Sequence, residues 1–279
     1  MLIRTKQEYH NHYSNFSEKK IGLVPTMGAL HKGHMSLIQR SVNECDVTCV
    51  SVFVNPTQFN NEQDLQNYPR TLSADLDLIR FFGEEIVIFA PDAQELYPEG
   101  LTSKQYNFGD LTRYMEGEHR AGHFEGVGTV LEKLFTIIKP TKAYFGEKDF
   151  QQLTVVRALV ELLKLDIDVV GCETLREHNG LAISSRNKLL NTDQKEKASL
   201  IYDTLMYAKS QFNTLSPQNI KDEVVKRFKE SEDLNLEYFE IASEKDLKPT
   251  DEIKPNEKYR GFIAAFSDQV RLIDNMALN

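Results

Sequence analysis

The fold is decided by the stretch Ile21-Gly22-Leu23-Val24-Pro25-Thr26-Met27-Gly28-Ala29-Leu30-His31-Lys32-Gly33-His34. Its apolar start predicts a buried strand, its proline and glycines predict a turn, and apolar residues then resume at helical spacing through Met35, Leu37 and Ile38. The first turn of a helix has unpaired backbone N–H groups and the positive end of the helix dipole. We therefore expect an anion such as a phosphate to bind at this junction.

Two histidines in this stretch strengthen that expectation. If the chain is helical from Leu30 onward, His31 and His34 lie on one face, with Lys32 nearby. The spacing of Gly28 and Gly33 resembles a P-loop, but His34-Met35 stands where that motif requires Lys followed by Ser or Thr, which excludes it. Ordinary surface histidines are the alternative, and two rings on one face beside two glycines favour a site.

Length, charge and cysteine content limit the function classes. A chain of 279 residues predicts two domains, and a net charge of -9 disfavours a broad nucleic-acid surface, so an anionic ligand needs a local cationic cluster. Three cysteines without zinc-type pairing indicate a reducing compartment. The amino terminus has no signal-peptide core and no apolar run approaches membrane-spanning length, so we predict a cytoplasmic protein without membrane contact.

Alternating apolar runs and helical patterns predict an α/β fold. Strands are expected at 21–24, 47–54, 86–90, 143–145 and 167–170, with helices at 35–45, 73–82, 126–138 and 150–164. Strands apolar on both faces predict a doubly wound, Rossmann-like parallel sheet over residues 1–176. Residues 177–279 predict a smaller α+β domain, with helices at 191–212 and 217–231 and strands at 236–241, 259–266 and 270–273.

Polar loops follow the predicted strands at their carboxyl ends, where such folds bind ligands. These loops are 55–59, 146–152, 175–176 and 183–187. Lys148 and Arg186 are candidate partners of the same anion as the histidines, although Lys148 could instead pair with Glu147 or Asp149 on the surface. Gln58 and Gln152 could bind a carboxylate substrate through their amides, or could be solvated loop residues. Residues 114–128 predict either a mobile glycine-rich cover or a plain connector.

Five motifs in register resemble the pantothenate synthetase (pantoate–β-alanine ligase) family, within the superfamily of nucleotidylyltransferases marked by His-x-Gly-His. The motifs are Pro25-Thr26-Met27-Gly28-Ala29-Leu30-His31-Lys32-Gly33-His34, Phe53-Val54-Asn55-Pro56-Thr57-Gln58-Phe59, Tyr68-Pro69-Arg70, Phe145-Gly146-Glu147-Lys148-Asp149-Phe150-Gln151-Gln152 and Ser184-Ser185-Arg186-Asn187. The resemblance implies ATP-dependent condensation of (R)-pantoate with β-alanine to pantothenate, AMP and diphosphate, on the route to coenzyme A.

The resemblance also implies roles for individual residues. His34, His31 and Lys148 would be catalytic, with His34 donating a proton to the phosphates, and Gln58 and Gln152 would hold pantoate. The implied ATP site comprises Met27, Gly28, Ala29, Leu30, His31, Lys32, Gly33, His34, Gly146, Glu147, Lys148, Asp149, Leu175, Ile183, Ser184, Ser185 and Arg186.

A two-step mechanism follows from this resemblance. The ionised pantoate carboxylate would attack the α-phosphorus of ATP, and the β-alanine amine would then attack the acyl adenylate. Mg²⁺ would be carried by the ATP phosphates, its protein ligands stay open, and a homodimer is a family expectation. The alternatives are a nucleotidylyltransferase, a nucleotide-binding regulatory module and a tRNA-charging fragment, the last disfavoured by the acidic charge balance.

Overall fold

The computed structural model describes residues 1–13, 18–83 and 86–279. These residues divide into two compact units, the first formed by 1–108, 120–147 and 152–173, and the second by 109–119, 148–151 and 174–279. The division expected from the sequence, 1–176 and 177–279, differs from this one chiefly in the two short segments 109–119 and 148–151.

Regular secondary structure accounts for most of the described part of the chain. The strands are β1 (Leu2–Ile3), β2 (Ile21–Thr26), β3 (Val47–Val52), β4 (Val87–Phe89), β5 (Lys142–Gly146), β6 (Asp168–Cys172), β7 (Asn235–Ser243), β8 (Tyr259–Ser267) and β9 (Val270–Ala277). The α-helices are α1 (Lys6–Tyr13), α2 (Lys32–Glu44), α3 (Glu62–Asn67), α4 (Leu72–Arg80), α5 (Ala93–Leu96), α6 (Glu116–His119), α7 (His123–Ile138), α8 (Phe150–Leu162), α9 (Thr192–Lys197), α10 (Ser199–Gln211) and α11 (Pro217–Lys229).

The first unit contains a parallel sheet whose six strands, counted over the described residues, follow the order β1-β4-β3-β2-β5-β6. This order confirms the predicted Rossmann-like fold. All five predicted strands are present, with bounds shifted by a few residues. The edge strand β1 was not predicted because two residues are too few to show a periodic pattern.

Two neighbouring strands, β2 and β5, mark the point where the chain order reverses, because β3 follows on one side of β2 and β6 lies beyond β5. Their pairing ends at Leu23 and Ala143, although β2 continues to Thr26 and β5 to Gly146. The two strands are therefore no longer paired at their carboxyl ends. Open α/β sheets bind ligands in the crevice at such a reversal.

Close packing of α2 on the sheet depends on Gly22 in β2. A Cβ atom there would lie 2.2 Å from Ser41 Oγ and 2.9 Å from Cys45 Sγ, both on the α2 side. Apolar side chains of β2, β3, β4 and α2 form a buried core on this face, which includes Val24, Leu30, Leu37, Ile38, Val50 and Ile88. This packing fixes where α2 begins relative to the end of β2.

The second unit contains the antiparallel sheet β7-β8-β9, with α10 and α11 contributing to its core. Its α+β character agrees with the expectation. Two helices, α9 and α10, replace the single helix expected at 191–212, since α9 ends at Lys197 with Ala198 as its C-cap. Segment 109–119 belongs to this unit because Glu116 receives two hydrogen bonds from Arg271 and one from Tyr238.

Residues 114–128 contain more helix than expected, because α6 lies at Glu116–His119 and α7 begins at His123, three residues before the expected start at Gly126. Gly126 lies inside that helix, and a Cβ atom there would be 2.3 Å from the carbonyl oxygen of Thr57. The glycine therefore serves close contact between α7 and the loop after β3, not mobility.

Candidate active site

The turn after β2 positions the two histidines. His31 is not helical, so the condition considered from the sequence, a helix from Leu30 onward, is not met: His31 is the N-cap of α2, with extended backbone angles. Its Nδ1 atom accepts a hydrogen bond from the Gly33 N–H at 3.2 Å. The rings of His31 and His34 nevertheless lie together, with centroids 4.0 Å apart. Because Nδ1 acts as the acceptor, a neutral His31 carries its proton on Nε2.

Backbone amides of this turn have partners within the protein. The N–H groups of Ala29 and Leu30 donate to the carboxylate of Asp75 at 3.0 and 2.8 Å, and the Gly33 N–H donates to the His31 ring. The amides of Ala29 and Leu30 precede α2, so they are not the first-turn amides for which the sequence predicts an anion, and that prediction stays a prediction.

A hydrogen-bonded chain of buried side chains fixes the orientation of Gln58. Burial raises the pKa of Tyr97, so its hydroxyl stays protonated and donates to Asn55 Oδ1 at 2.8 Å. The Asn55 amide then donates through Nδ2 to Gln58 Oε1 at 3.1 Å. Gln58 is left with Nε2 directed at Met27 Sδ, 3.3 Å away. The amide proton of Gln58 thus faces the turn that follows β2.

The backbone of Gln58 is held as well. His123 Nδ1 lies 2.9 Å from the Gln58 carbonyl oxygen, which can only accept, so Nδ1 carries a proton. The Nε2 atom of His123 lies 3.2 Å from a guanidinium nitrogen of Arg120, which can only donate. The two contacts together define a neutral His123, which sits at the first turn of α7 and is buried.

The remaining predicted residues of the first unit lie at the ends of β5 and α8. Gly146 closes β5, and a Cβ atom there would meet no protein atom within 4 Å. Glu147 and Gln152 are half-buried, whereas Lys32 is exposed on the first turn of α2. The structure thus brings His31 together with His34, and Met27 with Gln58. A shared substrate for Gln58 and Gln152 stays a prediction.

In the second unit, Lys148 is anchored through its main chain. Its carbonyl oxygen accepts from Asn275 Nδ2 at 2.7 Å, and the Asn275 Oδ1 atom accepts from Arg260 at 2.6 Å. The Lys148 ammonium lies 3.7 Å from Asp149 Oδ1, at the long end for an ion pair. The surface pairing considered from the sequence is therefore weak.

The segments at 175 and 183–186 also belong to the second unit and pair with each other. The Ile183 N–H donates to the Leu175 carbonyl at 2.9 Å. Ser184 is the N-cap of a 3-10 turn, where its Oγ accepts from the Arg186 N–H at 3.2 Å, and Ser185 is buried. The grouping of these residues with those of the first unit around one nucleotide stays a prediction.

Four residues that support this arrangement received no role from the sequence: Asn55, Asp75, His123 and Asn275. Asn55 carries a readable signal, since it lies three residues before Gln58 at the end of a strand. The other three are distant in sequence from the groups that they contact. Their roles depend on tertiary contacts that no local pattern contains.

Comparison with known proteins identifies the family. The family model for pantoate-beta-alanine ligase matches residues 1–277. The pantothenate synthetase of Flavobacterium psychrophilum is 50% identical over 261 residues, covering 94% of this chain and 93% of that protein. The pantothenate synthetase of Christiangramia forsetii is 49% identical over 261 residues, covering 94% of this chain and 92% of that protein.

Solved structures agree with the sequence relatives. The crystal structure of pantothenate synthetase from Thermus thermophilus is 37% identical and superposes with a TM-score of 0.91 over 99% of both chains. Pantoate-beta-alanine ligase from Francisella tularensis, solved in complex with beta-gamma ATP and beta-alanine, gives 34% identity and a TM-score of 0.82, covering 100% of this chain and 97% of that one. With a family match over residues 1–277 and half of the aligned positions identical to a curated relative, the chain belongs to the pantoate–β-alanine ligase family.

Proposed function

We propose that the chain joins (R)-pantoate to β-alanine through a pantoyl adenylate, with the phosphates of ATP at the turn after β2 and pantoate at Gln58. Membership of the family makes it a ligase. The solved relative with beta-gamma ATP and beta-alanine supports these two molecules as substrates. The observation that carries the assignment is the paired rings of His31 and His34, 4.0 Å apart at the chain reversal of the sheet.

The first half-reaction needs charge stabilisation rather than a base. The carboxylate of pantoate is ionised at neutral pH, so it attacks the α-phosphorus directly and pyrophosphate leaves. The Nε2–H of His31 and the ring of His34 stabilise charge on the phosphate oxygens, and His34 donates a proton to the phosphates. Lys148 and Arg186 are proposed to add positive charge. The Gln58 Nε2–H orients the carboxylate without placing a negative charge beside it.

In the second half-reaction the amine of β-alanine, after losing a proton, attacks the acyl carbon of the adenylate. The C–N bond forms, the bond between the acyl carbon and the phosphate oxygen breaks, and AMP leaves with the electron pair. Gln152 is proposed to hold the pantoyl group with Gln58 during this step. Mg²⁺ enters as the magnesium complex of ATP, held by phosphate oxygens and water.

A cytoplasmic homodimer completes the proposal. Cys45, Cys49 and Cys172 are all free thiols, which suits a reducing compartment. Among the described residues, none of the helices combines the length and apolar character needed to cross a membrane. The dimer rests on family resemblance, and light scattering that returns the mass of a single chain would contradict it.

Isotope exchange tests the proposed reaction. The purified enzyme, incubated with ATP, pantoate and labelled pyrophosphate but without β-alanine, is expected to form labelled ATP. Adding β-alanine is expected to release AMP, a product that a nucleotidylyltransferase would not form. The His34→Ala variant is expected to lose the exchange by orders of magnitude, whereas His10→Ala, on an exposed position of α1, serves as the matched control. Exchange that is absent, or that proceeds without pantoate, contradicts the proposal.

A further inference from the structure

A buried carboxylate lies against the turn that precedes the two histidines. Asp75 is on α4 and is 1% exposed. Its Oδ2 atom accepts from the Ala29 N–H at 3.0 Å, and its Oδ1 atom accepts from the Leu30 N–H at 2.8 Å and from the Thr71 hydroxyl at 3.2 Å. Both carboxylate oxygens are therefore engaged, two of the three contacts being with consecutive backbone amides.

The backbone that Asp75 contacts has an unusual conformation. Gly28 and Ala29 are consecutive residues with positive φ, +79° and +51°. Ala29 has a Cβ atom, so the left-handed conformation costs free energy unless the surroundings hold it. The pair of hydrogen bonds to Asp75 provides this support, and it begins at Ala29 itself. A Cβ atom at Gly28 would lie 3.1 Å from Asp75 Oδ2, so the glycine leaves room for the carboxylate.

We propose that Asp75 is a positioning residue of the ligation reaction. It holds the turn 27–31 in the conformation that places His31 as the N-cap of α2 and brings its ring against that of His34. Asp75 does not touch substrate in this account and acts through the backbone. The inference rests on the proposed binding of ATP at this turn, and goes beyond it by naming what gives the turn its shape.

The arrangement also determines how a phosphate can be bound. A P-loop offers backbone amides to phosphates, whereas here two amides of the turn are given to a protein carboxylate. These two amides are therefore not offered to a phosphate, and the turn presents the two imidazole side chains instead. Loss of Asp75 should therefore misplace the imidazoles and weaken ATP binding, even though it releases two amides.

The test compares Asp75→Asn with Asp77→Asn on the same helix. Both substitutions remove one carboxylate, but the Asp77 side chain is 65% exposed and pairs with Arg80 on the surface. In Asp75→Asn one carboxylate oxygen becomes an NH₂ group facing a backbone N–H, so one hydrogen bond is lost and two donors meet. We expect kcat/KM for ATP in the exchange assay to fall about 10- to 100-fold in Asp75→Asn. We expect Asp77→Asn to stay within about twofold of the parent enzyme.

The distribution of the loss separates positioning from folding. Partial unfolding removes active molecules and lowers kcat without changing the KM for either substrate. Positioning predicts that KM for ATP rises while KM for pantoate stays the same, and that the amides of Ala29 and Leu30 exchange hydrogen faster in the variant. An unchanged KM for ATP, or a lower one because the freed amides bind phosphate, overturns the inference.

Two further results keep the test decisive. If Asp75→Asn does not fold, Thr71→Val replaces it, because it removes only the hydroxyl that donates to Asp75 and should raise KM for ATP in the same direction by a smaller factor. An unchanged KM in that variant overturns the inference. Failure of the proposed function looks different: the parent enzyme itself shows no exchange, or His34→Ala retains it.

Discussion

Replacing Asn55 by Asp provides a sharp test of how Gln58 is oriented. The two side chains have nearly the same shape, but Asp offers two acceptor atoms where Asn offers one donor and one acceptor. The Tyr97 hydroxyl still finds an acceptor in the variant. The second carboxylate oxygen then faces Gln58 Oε1 and the Gly126 carbonyl oxygen, each 3.1 Å from Asn55 Nδ2 in the parent chain.

Two acceptors facing one carboxylate oxygen force the Gln58 amide to rotate by half a turn. Its Oε1 atom then points where Nε2 pointed, and a carboxylate substrate meets an acceptor instead of a donor. Each buried polar group left without its partner costs about 1–3 kcal/mol. The rotation leaves Gln58 Oε1 and the substrate carboxylate without a donor; the lower part of that range, about 1–2 kcal/mol for each, gives a total of about 2–4 kcal/mol, which corresponds to about 30- to 1,000-fold in kcat/KM for pantoate.

The assay is pyrophosphate exchange at saturating ATP with pantoate varied. Asn43→Asp is the matched control, since Asn43 is exposed on α2 and already presents its side-chain oxygen as an acceptor to Gln39. A thermal unfolding curve for each variant establishes that it is folded. Loss of less than about threefold in kcat/KM for pantoate by a folded Asn55→Asp variant refutes the reasoning, as does an equal loss with respect to ATP.

Two further predictions concern stability. Burial opposes the charge of Arg271, but hydrogen bonds to the Glu116 and neighbouring carboxylates raise its pKa, so the cation persists. Arg271→Met leaves the buried Glu116 carboxylate without its cation and should destabilise the chain by about 3–5 kcal/mol. The loss should appear as a Tm lower by about 10 °C, whereas the exposed Arg80→Met should change Tm by about 1 °C or less; equal Tm values would contradict this account. A hydrogen bond from Arg40, followed by one from a lysine, lowers the pKa of Glu44 from an ordinary 4.5 to about 2. Because the folded-state pKa is the lower one, the stabilisation exists above pH 4.5 and is lost as pH falls towards 2. Urea titrations at each pH should therefore find Glu44→Gln less stable than the parent chain at neutral pH and equally stable near pH 2. A stability difference between the two chains that does not change with pH would contradict this prediction.

The sequence predicts the sheet well because each of its central strands is an apolar run bounded by helices. It also predicts the position of His31 and His34, since an apolar run followed by Gly28 indicates a turn there, although β2 continues through Pro25 to Thr26. It fails on the local geometry of that turn. His31 is an N-cap rather than a helical residue, because its own ring accepts from the Gly33 N–H, an arrangement that helix periodicity does not reveal.

The hydrogen-bond partners of the backbone amides at the site were the feature that the sequence predicted least well. The sequence predicts free amides in the first turn of α2, but it does not reveal that Asp75, more than forty positions later in the chain, accepts two amides of the turn before that helix. The helix α7 offers a similar case, because the spacing of its glycines suggested a loop. Gly126 is explained only by its close approach to the Thr57 carbonyl. Both depend on which distant segments meet in the fold.

The most direct test of where ATP binds is the substitution Gly146→Ala at the end of β5. A Cβ atom at this position would meet no protein atom within 4 Å and Gly146 has no positive φ, so we expect the melting temperature to stay unchanged. If the nucleotide lies in the crevice where β2 and β5 are no longer paired, the added methyl group should raise KM for ATP in pyrophosphate exchange by about tenfold or more. A KM for ATP equal to that of the parent enzyme would contradict the placement of the nucleotide on which this account depends.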